Sequence, residues 1–169
     1  QSIECVHIYS LIHDDIMDND SMRRNQPANH IRYGVPMAIL AGDTFHDLAA
    51  DILDELCGTY SKSDIYDLKK LFNLAWGIHG MAGGQAIDIA TQKTDLSNQQ
   101  QLALLHTMHR LKTGALIKSC IVGPAGLAKV PATVMNWLDT YADLLGLCFQ
   151  IRDDILDIEG EPEQLGKTV

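Results

Sequence analysis

The sequence predicts an all-α fold. Apolar residues recur at intervals of three and four along most of the chain, as they do on the buried face of a helix. No segment sustains the apolar and polar alternation of a strand, and the chain contains neither an internal repeat nor a low-complexity tract. The first residues open inside a periodic apolar pattern and the last stop in a loop. We therefore expect one all-α domain over 1–169 that is incomplete at both ends.

Composition narrows the class of protein further. Hydrophobic residues make up 46% of the 169 residues, and no run approaches the roughly 18 apolar residues that would predict a membrane span. The net charge of -9 argues against a nucleic-acid surface. The four cysteines lie far apart without a CxxC pair, so neither a zinc site nor a disulfide framework is indicated. A soluble protein of the cytoplasm is expected.

The first half of the chain divides into two helices and a loop. Residues 3–17 carry apolar side chains at helical spacing. Residues 18–34 are polar and include a proline and a glycine, which predicts a loop. A second helix begins near Pro36, which a first helical turn tolerates, and Gly58 can end it.

The third predicted helix, over 64–91, contains four glycines. Each costs about 1 kcal/mol relative to alanine inside a helix. Their spacing of three and four therefore indicates either a close helix contact, which we favour, or room for a ligand. The four are Gly77, Gly80, Gly83 and Gly84.

The remaining chain predicts two more helices. One begins near Asn98 and is expected to break at Gly123 and Pro124, because proline removes a backbone donor. The other follows Pro131 and continues to Gly160.

Two aspartate-rich motifs of the form DDxxD follow strongly apolar helical segments. Helical spacing brings the carboxylates of each motif to one face, where they repel one another. One such motif alone also occurs at solvated helix ends, but two favour a site for hard divalent cations. Magnesium binds through one or two carboxylates together with substrate phosphates, so the pair indicates a metal-bridged phosphate ester. The residues are Asp14, Asp15 and Asp18 in one motif and Asp153, Asp154 and Asp157 in the other.

Basic residues in neighbouring segments complete a phosphate site. Arg23 and Arg24 follow the first motif, Lys112 lies in RLKTGAL, and Lys167 lies beyond the second motif in QLGKT. Guanidinium groups suit phosphate oxygens and lysine supplies a point charge. A single Arg or Lys of this kind is more often an ordinary surface residue than a phosphate ligand. Together with the two aspartate motifs, however, phosphate binding becomes the favoured interpretation.

These motifs together resemble those of the trans-isoprenyl diphosphate synthases, and most of all the bacterial farnesyl diphosphate synthases. The similar stretches span nearly the whole chain in the family's order. They are YSLIHDD, MDNDSMRRNQPANH, MAILAGD, GMAGGQAIDI, HRLKTGALI, and FQIRDDILDIEG followed by LGK.

The resemblance implies an antiparallel helix bundle of the isoprenoid synthase type around a deep apolar cavity, with the two motifs facing each other at its mouth. The six aspartates would hold three magnesium ions on the diphosphate of an allylic substrate. Arg23, Lys112 and Lys167 would balance the remaining negative charge, and Arg24 would receive isopentenyl diphosphate. A homodimer is also implied.

The reaction implied is prenyl chain elongation. Thr113 and Gln150, with a backbone carbonyl near Lys112, are the dipoles that the family places near the allylic cation. Tyr9 and Ser10 precede Asp14 by five and four residues, so at about 1.5 Å per residue they lie roughly 6 to 8 Å down the cavity. A tyrosine there favours a farnesyl product by acting as a floor.

The first motif departs from the longer DDxxxxD of similar bacterial enzymes. Either the short form is genuine, as in geranylgeranyl and longer-chain synthases, or residues are lost between Ile16 and Met17. The close match of MDNDSMRR to the longer form favours loss, in which case Asp20 joins Asp18 as a candidate ligand. The family's early segment for isopentenyl diphosphate would lie upstream of Gln1.

Three alternatives to a farnesyl synthase follow. The first is a geranylgeranyl diphosphate synthase. The second is a non-catalytic subunit of a heteromeric prenyl synthase, which the presence of both motifs disfavours. The third is another ionising terpenoid enzyme, which the KT and FQ pairs disfavour.

Overall fold

The computed structural model describes residues 1–91 and 97–159, and these residues are almost entirely helical, which confirms the predicted all-α class. Among the described helices, none has both the length and the apolar character that a bilayer crossing requires. A short 3₁₀ turn covers Glu55–Gly58 and a π-helical turn covers Arg110–Gly114. In chain order the elements are α1 (Ser2–Met17), β1 (Met22–Arg23), β2 (Gln26–Pro27), α2 (Asn29–Tyr33), α3 (Val35–Asp54), α4 (Lys62–Trp76), α5 (Met81–Thr91), α6 (Asn98–His109), α7 (Ala115–Leu127) and α8 (Ala132–Glu159).

The chain forms two compact units. The first contains residues 1–56 together with the described residues from Asp153 onward, and the second contains residues 57–152. Both aspartate motifs therefore belong to the first unit, whereas Lys112, Thr113 and Gln150 belong to the second.

In the first unit, α1 and α3 pack antiparallel. The Ser2 hydroxyl near the start of α1 donates to the carbonyl of Ala49 at 2.7 Å, and His13 Nε2 near its end lies 3.2 Å from the carbonyl oxygen of Ile39. Gly42 makes this approach feasible, since a Cβ there would overlap the His13 ring. The glycine of MAILAGD thus sets the distance between the two helices where the first motif begins.

The predicted loop between α1 and α3 contains a small hairpin. Met22 pairs with Pro27 and Arg23 with Gln26, and Arg24 and Asn25 form the two-residue turn with φ of 51° and 61°. Positive φ at both central residues is the type I′ geometry that suits a hairpin. Strands of two residues leave no alternation in the sequence, which is why the pattern did not reveal them.

In the second unit, the expectation of one helix over 64–91 is wrong. Helix α4 ends at Trp76 and α5 begins at Met81. Gly77, after the last residue of α4, has an extended backbone (φ -79°, ψ -160°), and its N–H donates to Asn73 at 3.0 Å. The helical period continues on both sides of this turn, so periodicity alone did not locate the break.

The expected break at Gly123 and Pro124 is also wrong, because α7 continues through Pro124 to Leu127. Gly123 is buried in the packing of α7 on α4, opposite Leu68 and Phe72. This packing outweighs the backbone hydrogen bond that proline removes. The regular helix is interrupted earlier instead, at the π-helical turn.

Two glycines allow close packing around that π-helical turn. A Cβ on Gly84 of α5 would lie 2.5 Å from Lys112 Cα, and one on Gly146 of α8 would lie 2.7 Å from Gly114 Cα. Neither contact leaves room for a methyl group. Of the two sequence interpretations of Gly84, close helix packing is therefore correct, and it holds Lys112 and Thr113 in place.

We expect Gly84→Ala and Gly126→Ala to have opposite effects on stability. Alanine at Gly84 forces α5 away from the backbone of Lys112, and such overpacking lowers the unfolding free energy by about 1–3 kcal/mol. Gly126 has open space around it, so alanine there adds helix propensity and raises stability by up to about 1 kcal/mol. Denaturant unfolding of the two variants measures both changes. Shifts of the same sign would contradict this packing account.

Candidate active site

The first aspartate motif lies at the C-terminal end of α1. Asp14 is half-buried and Asp18 is exposed, and the backbone N–H of Asp18 donates to the carbonyl of Asp14 at 2.8 Å, which closes the last turn. Their spacing places the two carboxylates on one face of the helix, where they repel. The negative end of the helix dipole adds to this repulsion. A cation at this end of α1 is therefore favoured.

Asp15 is held by Arg23. Its side chain is only 3% exposed, and its Oδ1 accepts a hydrogen bond from Arg23 Nε at 2.8 Å and a second from Nη2. Arg23 Nη2 also lies 3.7 Å from Asp20 Oδ2. Partial burial lowers the pKa of Arg23, but the hydrogen bonds to Asp15 and the charges of Asp15, Asp14 and Asp20 outweigh it, so the pKa is raised overall. Arg23 thus stays charged among the acidic residues.

Arg24 occupies the first central position of the hairpin turn. Its side chain is exposed and its φ is 51°. A left-handed conformation costs a residue with a Cβ roughly 1–2 kcal/mol, and glycine or asparagine is the usual choice there. Strain of this kind is concentrated at functional positions. The conformation makes Arg24 a candidate for ligand binding.

The second aspartate motif lies near the end of α8. Asp153 and Asp154 are half-buried, and Asp157 is in the same helix, although its side chain lies outside the described part of the structure. Lys167 falls outside the described residues altogether. That the two motifs face each other remains a prediction.

Tyr9 belongs to α1, and its ring packs between α1 and α3. Its ring meets the ring of His13 edge-on with centroids 5.8 Å apart, and that of His46 with centroids 5.1 Å apart. Burial raises the pKa of the phenol to about 12. Ser10, the other predicted floor residue, is half-buried and donates its hydroxyl to the carbonyl of His7 at 2.8 Å. Tyr9 is therefore fixed by packing, one turn and a residue before Asp14.

In the second unit, the π-helical turn presents two predicted site residues. The Thr113 hydroxyl donates to Gln150 Oε1 at 2.6 Å, so the structure brings these two dipoles together. Lys112 Nζ donates to Asp88 Oδ2 at 2.7 Å. π-Helical turns are frequent at functional sites because they alter the regular presentation of side chains.

The sequence did not reveal Asp88 as the ionic partner of Lys112, nor His13 as one of the residues of α1 that contact α3. Asp88 lies in the stretch GMAGGQAIDI, and His13 directly precedes the first motif. Both were within motifs already recognised.

The first motif suits magnesium better than a metal held by protein alone. Within the described side chains, no three His, Cys, Asp or Glu residues converge closely enough to hold an ion by themselves. Magnesium needs only one or two carboxylates when phosphate oxygens and waters complete its octahedron. Asp14 and Asp18, on one face of α1, supply such a pair. The donor set therefore fits a magnesium ion that binds together with a phosphate ester.

Known proteins with similar sequences include prenyl synthases. The family model described as polyprenyl synthetase matches residues 1–169. The chain is 40% identical to farnesyl diphosphate synthase of Escherichia coli over 98% of its length, and 41% identical to geranylgeranyl diphosphate synthase of Cyanophora paradoxa over 99%. In both cases it covers 56% of the relative, so the chain spans about half the length of the curated relatives it matches.

Solved structures also match nearly the whole of this chain, which again covers about half of each matched protein. A Helicobacter pylori geranyltransferase, crystallised with magnesium and isoprenyl diphosphate, aligns with a TM-score of 0.87 at 36% identity, over 99% of this chain and 54% of that one. A geranylgeranyl pyrophosphate synthetase from Pyrococcus horikoshii also gives a TM-score of 0.87, at 31% identity, over 99% of this chain and 49% of that one.

The raised pKa of Tyr9 predicts a loss of stability at alkaline pH. The neutral phenol is favoured in the folded state, so its contribution is complete below pH 10 and is lost as the pH rises toward about 12. We expect the wild type to lose stability above pH 10 more steeply than Tyr9→Phe, which has no ionisable ring. Denaturant unfolding at a series of pH values measures this. Parallel curves for the two proteins would contradict the assignment.

Proposed function

Because the chain belongs to the polyprenyl synthetase family, we propose that the protein containing it is a magnesium-dependent prenyltransferase. It condenses isopentenyl diphosphate with an allylic diphosphate, dimethylallyl or geranyl, to give farnesyl diphosphate and diphosphate. The observation that carries the proposal is the charge arrangement at the end of α1. There Asp14 and Asp18 share one face, while Asp15 keeps the guanidinium of Arg23 beside them.

Diphosphate binding is the first task of this site. Asp14 and Asp18 from the first motif, and Asp153, Asp154 and Asp157 from the second, are proposed to hold magnesium, with three ions per site. Magnesium, when bound, supplies Lewis-acid stabilisation of the departing diphosphate. Asp15 acts mainly through Arg23.

The basic residues bind the anions directly. Arg23, Lys112 and Lys167 contact the allylic diphosphate, and Arg24 contacts isopentenyl diphosphate. The left-handed backbone of Arg24 supports its role, because strain persists where function requires a residue.

In the reaction, the bond between the allylic carbon and its diphosphate oxygen breaks, and the diphosphate keeps the electron pair. The Thr113 hydroxyl and the Gln150 amide, which are joined by a 2.6 Å hydrogen bond, orient their dipoles toward the allylic cation. The double bond of isopentenyl diphosphate then attacks the cation and forms the new carbon–carbon bond. The released diphosphate takes the proton that restores the double bond.

Product length is the task of Tyr9 and Ser10. A bulky ring packed against His13 and His46 is a rigid floor, which supports a farnesyl product. Geranylgeranyl diphosphate is the second candidate product. It is favoured by the short DDxxD spacing and by a geranylgeranyl synthase among the relatives.

Assembly and location are part of the same proposal. We expect a homodimer in the cytoplasm. All four cysteines, each within the described ranges, are free thiols, as is usual in a reducing compartment.

The proposed activity predicts a product from three components. The full-length protein, incubated with magnesium, isopentenyl diphosphate and either allylic primer, should release diphosphate and form farnesyl diphosphate, detectable by mass spectrometry. Asp14→Asn should lower kcat by roughly a hundredfold or more, because the metal loses a carboxylate. Asp47→Asn, on the exposed side of α3, is the matched control and should leave turnover unchanged. A folded wild type that forms no product from either primer would contradict the enzyme assignment.

If the Tyr9 ring is the floor of the cavity, a smaller side chain at this position should allow longer products. Tyr9→Ala should shift the product from farnesyl toward geranylgeranyl diphosphate, because the chain then extends past the missing ring. Tyr9→Phe retains the ring and should retain the farnesyl product. Identical product distributions for Tyr9→Ala and the wild type would show that chain length is set elsewhere.

A further inference from the structure

Gln85 on α5 has a buried side-chain amide. The residue is 9% exposed, and neither its amide nitrogen nor its amide oxygen has a hydrogen-bond partner within the part of the chain that the structure describes. A buried polar group without a partner costs about as much as a lost hydrogen bond. A buried amide of this kind indicates that something absent from the protein alone completes its hydrogen bonds.

The position of Gln85 relates it to Lys112. Gly84, its neighbour, packs directly against the backbone of Lys112. Asp88, three residues further along α5, accepts a hydrogen bond from Lys112 Nζ at 2.7 Å. Residues three apart lie on the same side of a helix, so Gln85 and Asp88 are neighbours on α5. The amide therefore lies on the part of α5 that packs around the charged lysine.

The chemistry of the occupant follows from the proposed function, on which this inference rests. A prenyl diphosphate has an apolar tail and a single polar group. The tail would leave the amide as unsatisfied as before, whereas diphosphate oxygens are strong acceptors for an N–H group. Lys112 draws the same anion. We propose that Gln85 is a further substrate-binding residue, whose amide N–H donates to a diphosphate oxygen of the allylic substrate beside Lys112.

The test compares Gln85→Met with the wild type in the full-length protein. Methionine has a similar length and flexibility but cannot replace the amide hydrogen bond. Met81→Leu, an apolar exchange at a buried position of the same helix, is the matched control. The measurements are Tm without ligand, the Kd of inorganic diphosphate with magnesium, and KM for each of the two substrates.

We expect Gln85→Met to weaken diphosphate binding and to raise KM for the allylic substrate by roughly tenfold or more, because a charge-assisted hydrogen bond is lost. KM for isopentenyl diphosphate should stay within about twofold. Tm without ligand should be unchanged or up to about 3 °C higher, since a buried amide without a partner has been removed. Met81→Leu should change none of the binding constants.

Two results would overturn the proposal. One is diphosphate affinity within twofold of the wild type, including the case in which only kcat falls, because the amide would then act elsewhere. The other is a variant that fails to fold or loses more than about 5 °C in Tm, because the amide would then have a structural partner. A wild type that binds diphosphate through Gln85 but forms no prenyl product would refute the proposed function and leave this contact standing.

Discussion

Charge compensation between Asp15 and Arg23 is the interaction on which the first unit depends. Three carboxylates fall within five residues at the negative end of the α1 dipole, an arrangement that opposes helix formation. Arg23 offsets it with two donors to a nearly fully buried carboxylate. The chain reverses between α1 and β1, where Asn19 has a φ of 59°, and this reversal brings Arg23 back to Asp15.

In the second unit, a partly buried positive charge is likewise compensated by an opposite charge. Lys112 is paired with Asp88, and two glycines allow neighbouring helices to approach the turn that carries it. A charge that is paired before a ligand arrives costs less to bury than an isolated one. In the proposed function, anion binding by Lys112 would be an exchange of partners, and it would require a ligand whose charge and hydrogen bonds compete with a carboxylate. A diphosphate meets that condition, whereas a neutral ligand does not.

Much of the fold followed from periodicity and charge spacing. The positions of α1, α3 and α8 match the predicted helices closely, because each has a long apolar face and a recognisable end. The turn between α4 and α5, the continuation of α7 through Pro124 and the π-helical turn did not follow, because packing between helices decides them. The site followed in part: acidic and basic motifs were visible in the sequence, but which carboxylate pairs with Lys112 is a property of packing.

The two neighbouring aspartates of the first motif are proposed to have different roles: Asp15 holds Arg23, and Asp14 binds magnesium together with diphosphate. The most direct test is the unfolding free energy of Asp14→Asn and Asp15→Asn, with and without magnesium and inorganic diphosphate. Asp15→Asn should lose about 2–4 kcal/mol without ligand, because Arg23 then loses the buried carboxylate that accepts its two hydrogen bonds. Asp14→Asn should lose less stability than Asp15→Asn without ligand, because Asp14 is the less buried of the two carboxylates, and it should lose most of the stabilisation that the ligands give. The reverse pattern, with Asp14 needed for stability and Asp15 only for ligand binding, would contradict the account.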